Sequence, residues 1–112
     1  MSLKIYHNPK CSKSRQTLAL IQERGIDPEV IEYLKEPIKP NELKDILTKL
    51  GFKPSDILRK KEAEEEGLSH NFQDEALIEA ICACPRTLQR PIVVNGQKAV
   101  VGRPPEKVLE IL

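Results

Sequence analysis

Residues 5–15 read IYHNPKCSKSR, and the way these side chains change character decides the fold. Ile5 and Tyr6 suit an extended chain, Asn8-Pro9 signals a turn, and from Ser12 onward the apolar spacing is helical. A strand, a turn and a helix start therefore meet at one thiol, Cys11. The first N–H groups of a helix have no intrahelical acceptor, and the peptide dipoles sum to positive potential at that end. An anion placed there, thiolate or oxyanion, is stabilised.

A free thiol with a pKa of about 8.5 is only a few per cent charged at pH 7. Lowering that value to about 6.5 takes roughly 2.7 kcal/mol. A helix terminus contributes about 0.3–1 kcal/mol, and about 2 in a favourable site. Further positive charge is required, from Arg15, His7 or arginines elsewhere in the chain. Ser14 stands where a second cysteine would complete C-x-x-C. A C-x-x-S chain cannot close that disulfide, so an oxidised Cys11 needs an outside thiol, or Cys82 or Cys84, to resolve it.

Outward from this junction, SLKIYH (2–7) reads as the first strand and residues 12–24 as a helix stopped by Gly25. EVIEYL (29–34) reads as the second strand, broken by Pro37 and Pro40. NELKDILTKLG follows as a helix with Leu43, Ile46, Leu47 and Leu50 on one face and Gly51 as terminator. PSDILRKK reads as a short helical turn and AEEEGLSH as a charged loop containing His70. DEALIEAICAC is a further helix, stopped by Pro85. PIVVNGQKAVVG is two apolar runs around Asn-Gly, a strong hairpin signal. PPEKVLEIL closes the chain as a helix with proline in its first turn. The order is β-α-β, a helical block, then β-β-α. It predicts an α/β thioredoxin-like fold, a four-stranded mixed sheet with a helical insertion at about 37–85, in a single domain spanning 1–112.

Composition narrows the function classes. The chain has 112 residues, 39% of them apolar and 31% charged, with a formal net charge of +1. Such a balance offers no global attraction for nucleic acid or an anionic membrane, and few aromatics are present for base stacking. No apolar run reaches the roughly 18–20 residues of a membrane span, and no signal peptide is readable. Three cysteines without an export signal fit a reducing, cytoplasmic setting. Cys82 and Cys84 form C-x-C, which lacks the C-x₂-C spacing and has no second pair, so no metal is expected. Cys82 is expected in the core, and the Glu62–Glu66 run on a solvated face.

The segments HNPKCSKSRQTLALI, ILRKK, RPIVV and VGRPPEKVLEIL, in that order, resemble the glutaredoxin-dependent arsenate reductase family from Tyr6 to Leu112. The resemblance implies Cys11 as the nucleophile, with His7 and Ser14 assisting its ionisation. It implies that Arg59, Arg90 and Arg103 bind an oxyanion, and that Pro91 follows a cis bond facing the cysteine. Arg15 is a further candidate beside the thiol. The implied chemistry is reduction of arsenate or a related oxyanion, with glutathione as co-substrate and glutaredoxin as partner. No bound cofactor is expected, and the expected state is a monomer. Two other functions fit the same residues. One is a glutaredoxin-like transferase acting on glutathionylated substrates. The other is a non-enzymatic, Spx-like redox regulator that binds RNA polymerase, for which Ser14 removes the C-x-x-C switch.

Overall fold

The computed structural model describes residues 3–68 and 73–112. Ser2 of the expected first strand and His70 of the expected loop lie outside them. The chain forms two compact units, Met1–Glu36 with Arg90–Leu112, and Pro37–Gln89.

The first unit is built on four strands: β1 (Leu3–Tyr6), β2 (Glu29–Ile31), β3 (Ile92–Asn95) and β4 (Lys98–Val101). Their order in the sheet is β2-β1-β3-β4, with β1 parallel to β2 and the other pairs antiparallel. This is the mixed α/β sheet that the element order predicts. Side chains alternate across it, so Leu3, Ile5 and Val93 share one face. They pack with Ile21 of helix α1 (Ser12–Glu23) and with Val108 and Ile111 of the C-terminal helix to form the core. Gly25, at φ +75°, ends α1: its N–H bonds the Gln22 carbonyl at 2.9 Å and Ile26 reaches back to Ile21.

In this unit three expectations change in detail. β2 stops at Ile31 rather than Leu34, because the N–H groups of Lys35 and Glu36 both turn back onto the Glu32 carbonyl at 2.9 Å. The hairpin loop is Gly96-Gln97, since Asn95 still pairs with Lys98. Gly96, at φ +62°, holds the first loop position, where a type II′ turn favours glycine. The C-terminal segment Pro105–Ile111 is a 3₁₀ helix. Its buried residues are Pro105, Val108 and Ile111, and a stripe of period three suits three residues per turn.

The second unit contains α2 (Pro40–Leu50), α3 (Lys60–Glu65), α4 (Asp74–Ala83) and two short 3₁₀ turns, Pro54–Ile57 and Pro85–Thr87. Leu43, Ile46 and Leu47 of α2 are buried, as are Leu77, Ile78 and Ile81 of α4, and the two helices pack together. The charged run expected as a loop begins as helix α3 instead. Lysine, glutamate and alanine are good helix formers; Ala63 is buried, and Glu65 and Glu66 both pair with Arg86. Among the described residues, no helix is long and apolar enough to cross a membrane.

Candidate active site

The turn after β1 is fixed by short-range bonds. The Asn8 side-chain oxygen accepts from the Lys10 N–H at 3.0 Å, and the Asn8 carbonyl accepts from the Cys11 N–H at 3.0 Å. Asn and Asp favour such turns because the side chain mimics a backbone acceptor. Arg15 Nη1 donates to the Pro9 carbonyl at 2.9 Å and braces the same turn from the helix side. Cys11 is thereby left at the N-cap of α1, in extended backbone with φ −94° and ψ 123°, half-buried and unbridged.

Two long-range groups complete the surroundings of the sulfur. Arg103, just beyond β4, places Nη2 at 3.7 Å from Sγ and donates its Nε–H to the Arg90 carbonyl at 2.7 Å. Arg90, just before β3, lies close enough to lower the pKa of the thiol. The Arg90–Pro91 and Arg103–Pro104 bonds are both cis. Arg90 Nε is a buried donor with no hydrogen-bond partner among the described residues, and buried donors ordinarily have one.

Burial pushes the Cys11 thiol up. The opposing effects are, in order, the Ser14 N–H, the Arg90 hydrogen bond, the Lys13 N–H and the Arg90 charge, and together they hold the thiol below its ordinary value. The two N–H contacts are looser than the bond a serine or aspartate N-cap makes. They still direct the open end of the helix at the sulfur.

His7 stands one residue removed from this chemistry. Its Nδ1 lies 2.6 Å from Ser14 Oγ, which also accepts from the Asn8 N–H at 3.0 Å. His7, Asn8 and Ser14 are all buried, Ser14 completely at 0% exposure. Burial pushes the His7 pKa down, the Glu32 charge raises it, and the Arg15 charge lowers it; the net direction is down, so the ring is neutral near pH 7. His7 therefore touches the site through Ser14 and the turn rather than at the sulfur.

Arg59 belongs to the second unit. It caps α3, pairs with Glu62 through Nε, and donates from Nη1 to Gln89 Oε1 at 3.3 Å. Cys82 and Cys84 lie in the same unit, half-buried, each raised above the usual thiol value first by burial; nearby Glu42 adds to this for Cys82, and Glu66 for Cys84. Among the described residues, no group of histidine, cysteine and carboxylate side chains is arranged to hold a metal ion.

Sequence reasoning missed two residues at the site, Gly102 and Thr17. A Cβ built on Gly102 would lie 2.5 Å from Thr17 Oγ1 and 2.9 Å from Pro91 Cγ. Thr17 is fully buried and donates to the Lys13 carbonyl at 2.8 Å. The signal for Gly102 was present in VGRPPE, a glycine between a strand and a site arginine. Thr17 carried no signal beyond its place on the inner face of α1.

Residues 6–111 match the model of the ArsC family. The chain is 46% identical over 114 residues to an arsenate reductase of Neisseria meningitidis serogroup A, covering 98% of this chain and 97% of that one. An equal identity over 114 residues relates it to the uncharacterized protein YfgD of Escherichia coli K12, covering 98% and 96% of the two chains. Among solved structures, an arsenate reductase from Vibrio cholerae superposes with a TM-score of 0.90 at 44% identity, covering 100% of this chain and 98% of that one.

Proposed function

The chain belongs to the ArsC family, and from that premise we propose that it reduces arsenate to arsenite with Cys11 as the nucleophile. The observation that carries this reading is the thiol itself: a half-buried sulfur at a helix start, with Arg103 Nη2 at 3.7 Å, held below its ordinary pKa in part by Arg90. That setting does two things at once. It supplies a thiolate, the reactive form of cysteine, and it surrounds the incoming oxyanion with forked donors suited to tetrahedral oxygens.

The chemistry balances as follows. The Cys11 thiolate attacks arsenic, forming an S–As bond, and one arsenate oxygen leaves as water after protonation. Glutathione thiolate then attacks the Cys11 sulfur. The S–As electron pair passes to arsenic, As(V) becomes As(III), and the two sulfurs are oxidised to a mixed disulfide. A glutaredoxin thiol removes the glutathione and returns the Cys11 thiolate. Ser14 supports the need for outside thiols, because no cysteine stands at the fourth position of the C-x-x-S segment to resolve the disulfide within the turn. Such a cycle requires a reducing compartment, as in the cytoplasm.

The test is arsenate-dependent NADPH oxidation in the presence of glutathione, glutathione reductase and glutaredoxin, comparing the natural chain with Cys11→Ser. Turnover that requires arsenate, glutaredoxin and Cys11 supports the reading. A folded protein with a readily alkylated Cys11 and no arsenate turnover overturns the substrate, and deglutathionylation of a glutathionylated protein is then the reaction to measure.

A further inference from the structure

The backbone of Gly102 does not explain why a glycine stands there. Its φ lies outside the left-handed region, so any residue could adopt that backbone. What excludes a side chain is space. The nearest atoms to a built Cβ are Thr17 Oγ1 at 2.5 Å, Pro91 Cγ at 2.9 Å and Thr17 Cγ2 at 3.1 Å. None is the far end of a flexible side chain: Thr17 is β-branched and fully buried, and Pro91 is a ring. The bare Cα of Gly102 therefore rests directly on α1.

The part of α1 that it rests on lies one turn beyond Lys13, a residue beside the thiol. Thr17 Oγ1 donates to the Lys13 carbonyl, and the Lys13 N–H is one of the groups facing the Cys11 sulfur. On the other side, the Gly102 N–H bonds the Pro91 carbonyl at 2.9 Å, while the next residue, Arg103, grips the Arg90 carbonyl through Nε at 2.7 Å. Segment 102–103 is thus fastened to residues 90–91 at two points and laid against the first turns of α1 at a third. That three-way contact aims Arg103 Nη2 at Sγ.

We propose that Gly102 is a positioning residue for the reactive thiol, its missing side chain letting the segment after β4 seat on Thr17 and so deliver the Arg103 guanidinium to Cys11. The inference rests on Cys11 being the reactive sulfur. Its readout is alkylation rather than arsenate turnover, so an error in the substrate leaves it standing. Slow, ordinary alkylation of Cys11 in the natural chain would instead remove the premise.

The experiment follows the pH dependence of Cys11 alkylation by iodoacetamide, in a chain carrying Cys82→Ser and Cys84→Ser so that one thiol reports. Gly102→Ala is compared with the parent, with Arg103→Ala, with the Gly102→Ala/Arg103→Ala pair, and with Gly102→Ala/Thr17→Ala, which removes the Thr17 atoms in the way. Circular dichroism confirms folding. Gly102→Ala is expected to shift the alkylation midpoint upward and slow the reaction near pH 6.5 by about threefold to tenfold, the scale of losing a charged hydrogen bond. Once Arg103 is alanine, Gly102→Ala is expected to add nothing, and Thr17→Ala is expected to recover part of the loss. A folded Gly102→Ala chain with the parent profile overturns the proposal. An unchanged Gly102→Ala effect in the Arg103→Ala background also overturns it, because the glycine would then not act through Arg103. Failure of all three chains carrying Gly102→Ala to fold overturns it as well, since Gly102 would be a packing requirement alone.

Discussion

Arg103 reaches Cys11 across 92 positions of sequence, its Nη2 lying 3.7 Å from Sγ while its Nε–H is committed to the Arg90 carbonyl. One planar side chain thus ties the thiol to the backbone of Arg90. Lysine has neither the fork nor the second donor site at a fixed angle. Arg103→Lys is therefore expected to behave more like Arg103→Ala than like the natural chain. Both variants should raise the pH midpoint of Cys11 alkylation and slow it near pH 6.5 by about threefold to tenfold. A Lys variant with the natural midpoint would show that charge alone is what the sulfur senses.

Ser14 uses two different atoms for two different tasks. Its N–H faces the Cys11 sulfur, whereas its hydroxyl serves Asn8 and His7. Ser14→Ala keeps the first and removes the second, leaving buried polar groups unmatched at a cost of about 1–3 kcal/mol. The expected result is a lower urea midpoint with an alkylation profile close to natural. Arg90→Ala should do the reverse, shifting the profile with a smaller change in the urea midpoint.

His7 gives the fold a pH dependence with a defined sign. Burial lowers its pKa in the folded chain below the value of about 6.5 expected when unfolded. Below that value the unfolded chain binds the proton more readily, so stability falls as pH drops. Urea midpoints measured from about pH 7.5 down to 5.5 should decline, and His7→Gln should flatten that decline. An unchanged slope in the variant would assign the acid sensitivity to other groups.

Cys82 and Cys84 are both raised above the usual thiol value, each first by burial. A thiol held in its protonated form is a poor partner in disulfide exchange. Serine at both positions is expected to leave arsenate turnover within about twofold of natural while Cys11→Ser abolishes it. Loss of turnover in the folded double variant would identify an internal resolving thiol.

Much of this was legible in the chain before any coordinates. Patterns confined to a few residues were the readable ones: Gly25 as a helix stop, the apolar stripe of α2, and the turn-cysteine-helix junction. What stayed hidden depended on partners distant in sequence. The early end of β2 follows from bonds onto the Glu32 carbonyl, not from any loss of alternation in EVIEYL. Helix α3 was concealed because its only buried side chain is Ala63, too small to set a period. The acidic residues at its end show their purpose only when Arg86 arrives from twenty positions onward. At the site, His7 and Ser14 were legible by resemblance, but their division of labour was not. Gly102 and Thr17 needed the space between two segments, which no one-dimensional pattern records.

Cys11 is both the start of α1 and the sulfur that the open end of that helix faces, and the attraction runs in both directions. Whatever lowers the pKa of the thiol in the folded chain is returned as resistance to unfolding when the thiol is charged. That contribution is complete above the unfolded thiol's pKa and disappears as the pH falls through the folded one. Capping the sulfur with a neutral group cancels it at every pH. A neutral modification of the sulfur is accordingly expected to lower the stability of the folded chain wherever the free thiol would be charged, with the loss centred on the first turn of α1.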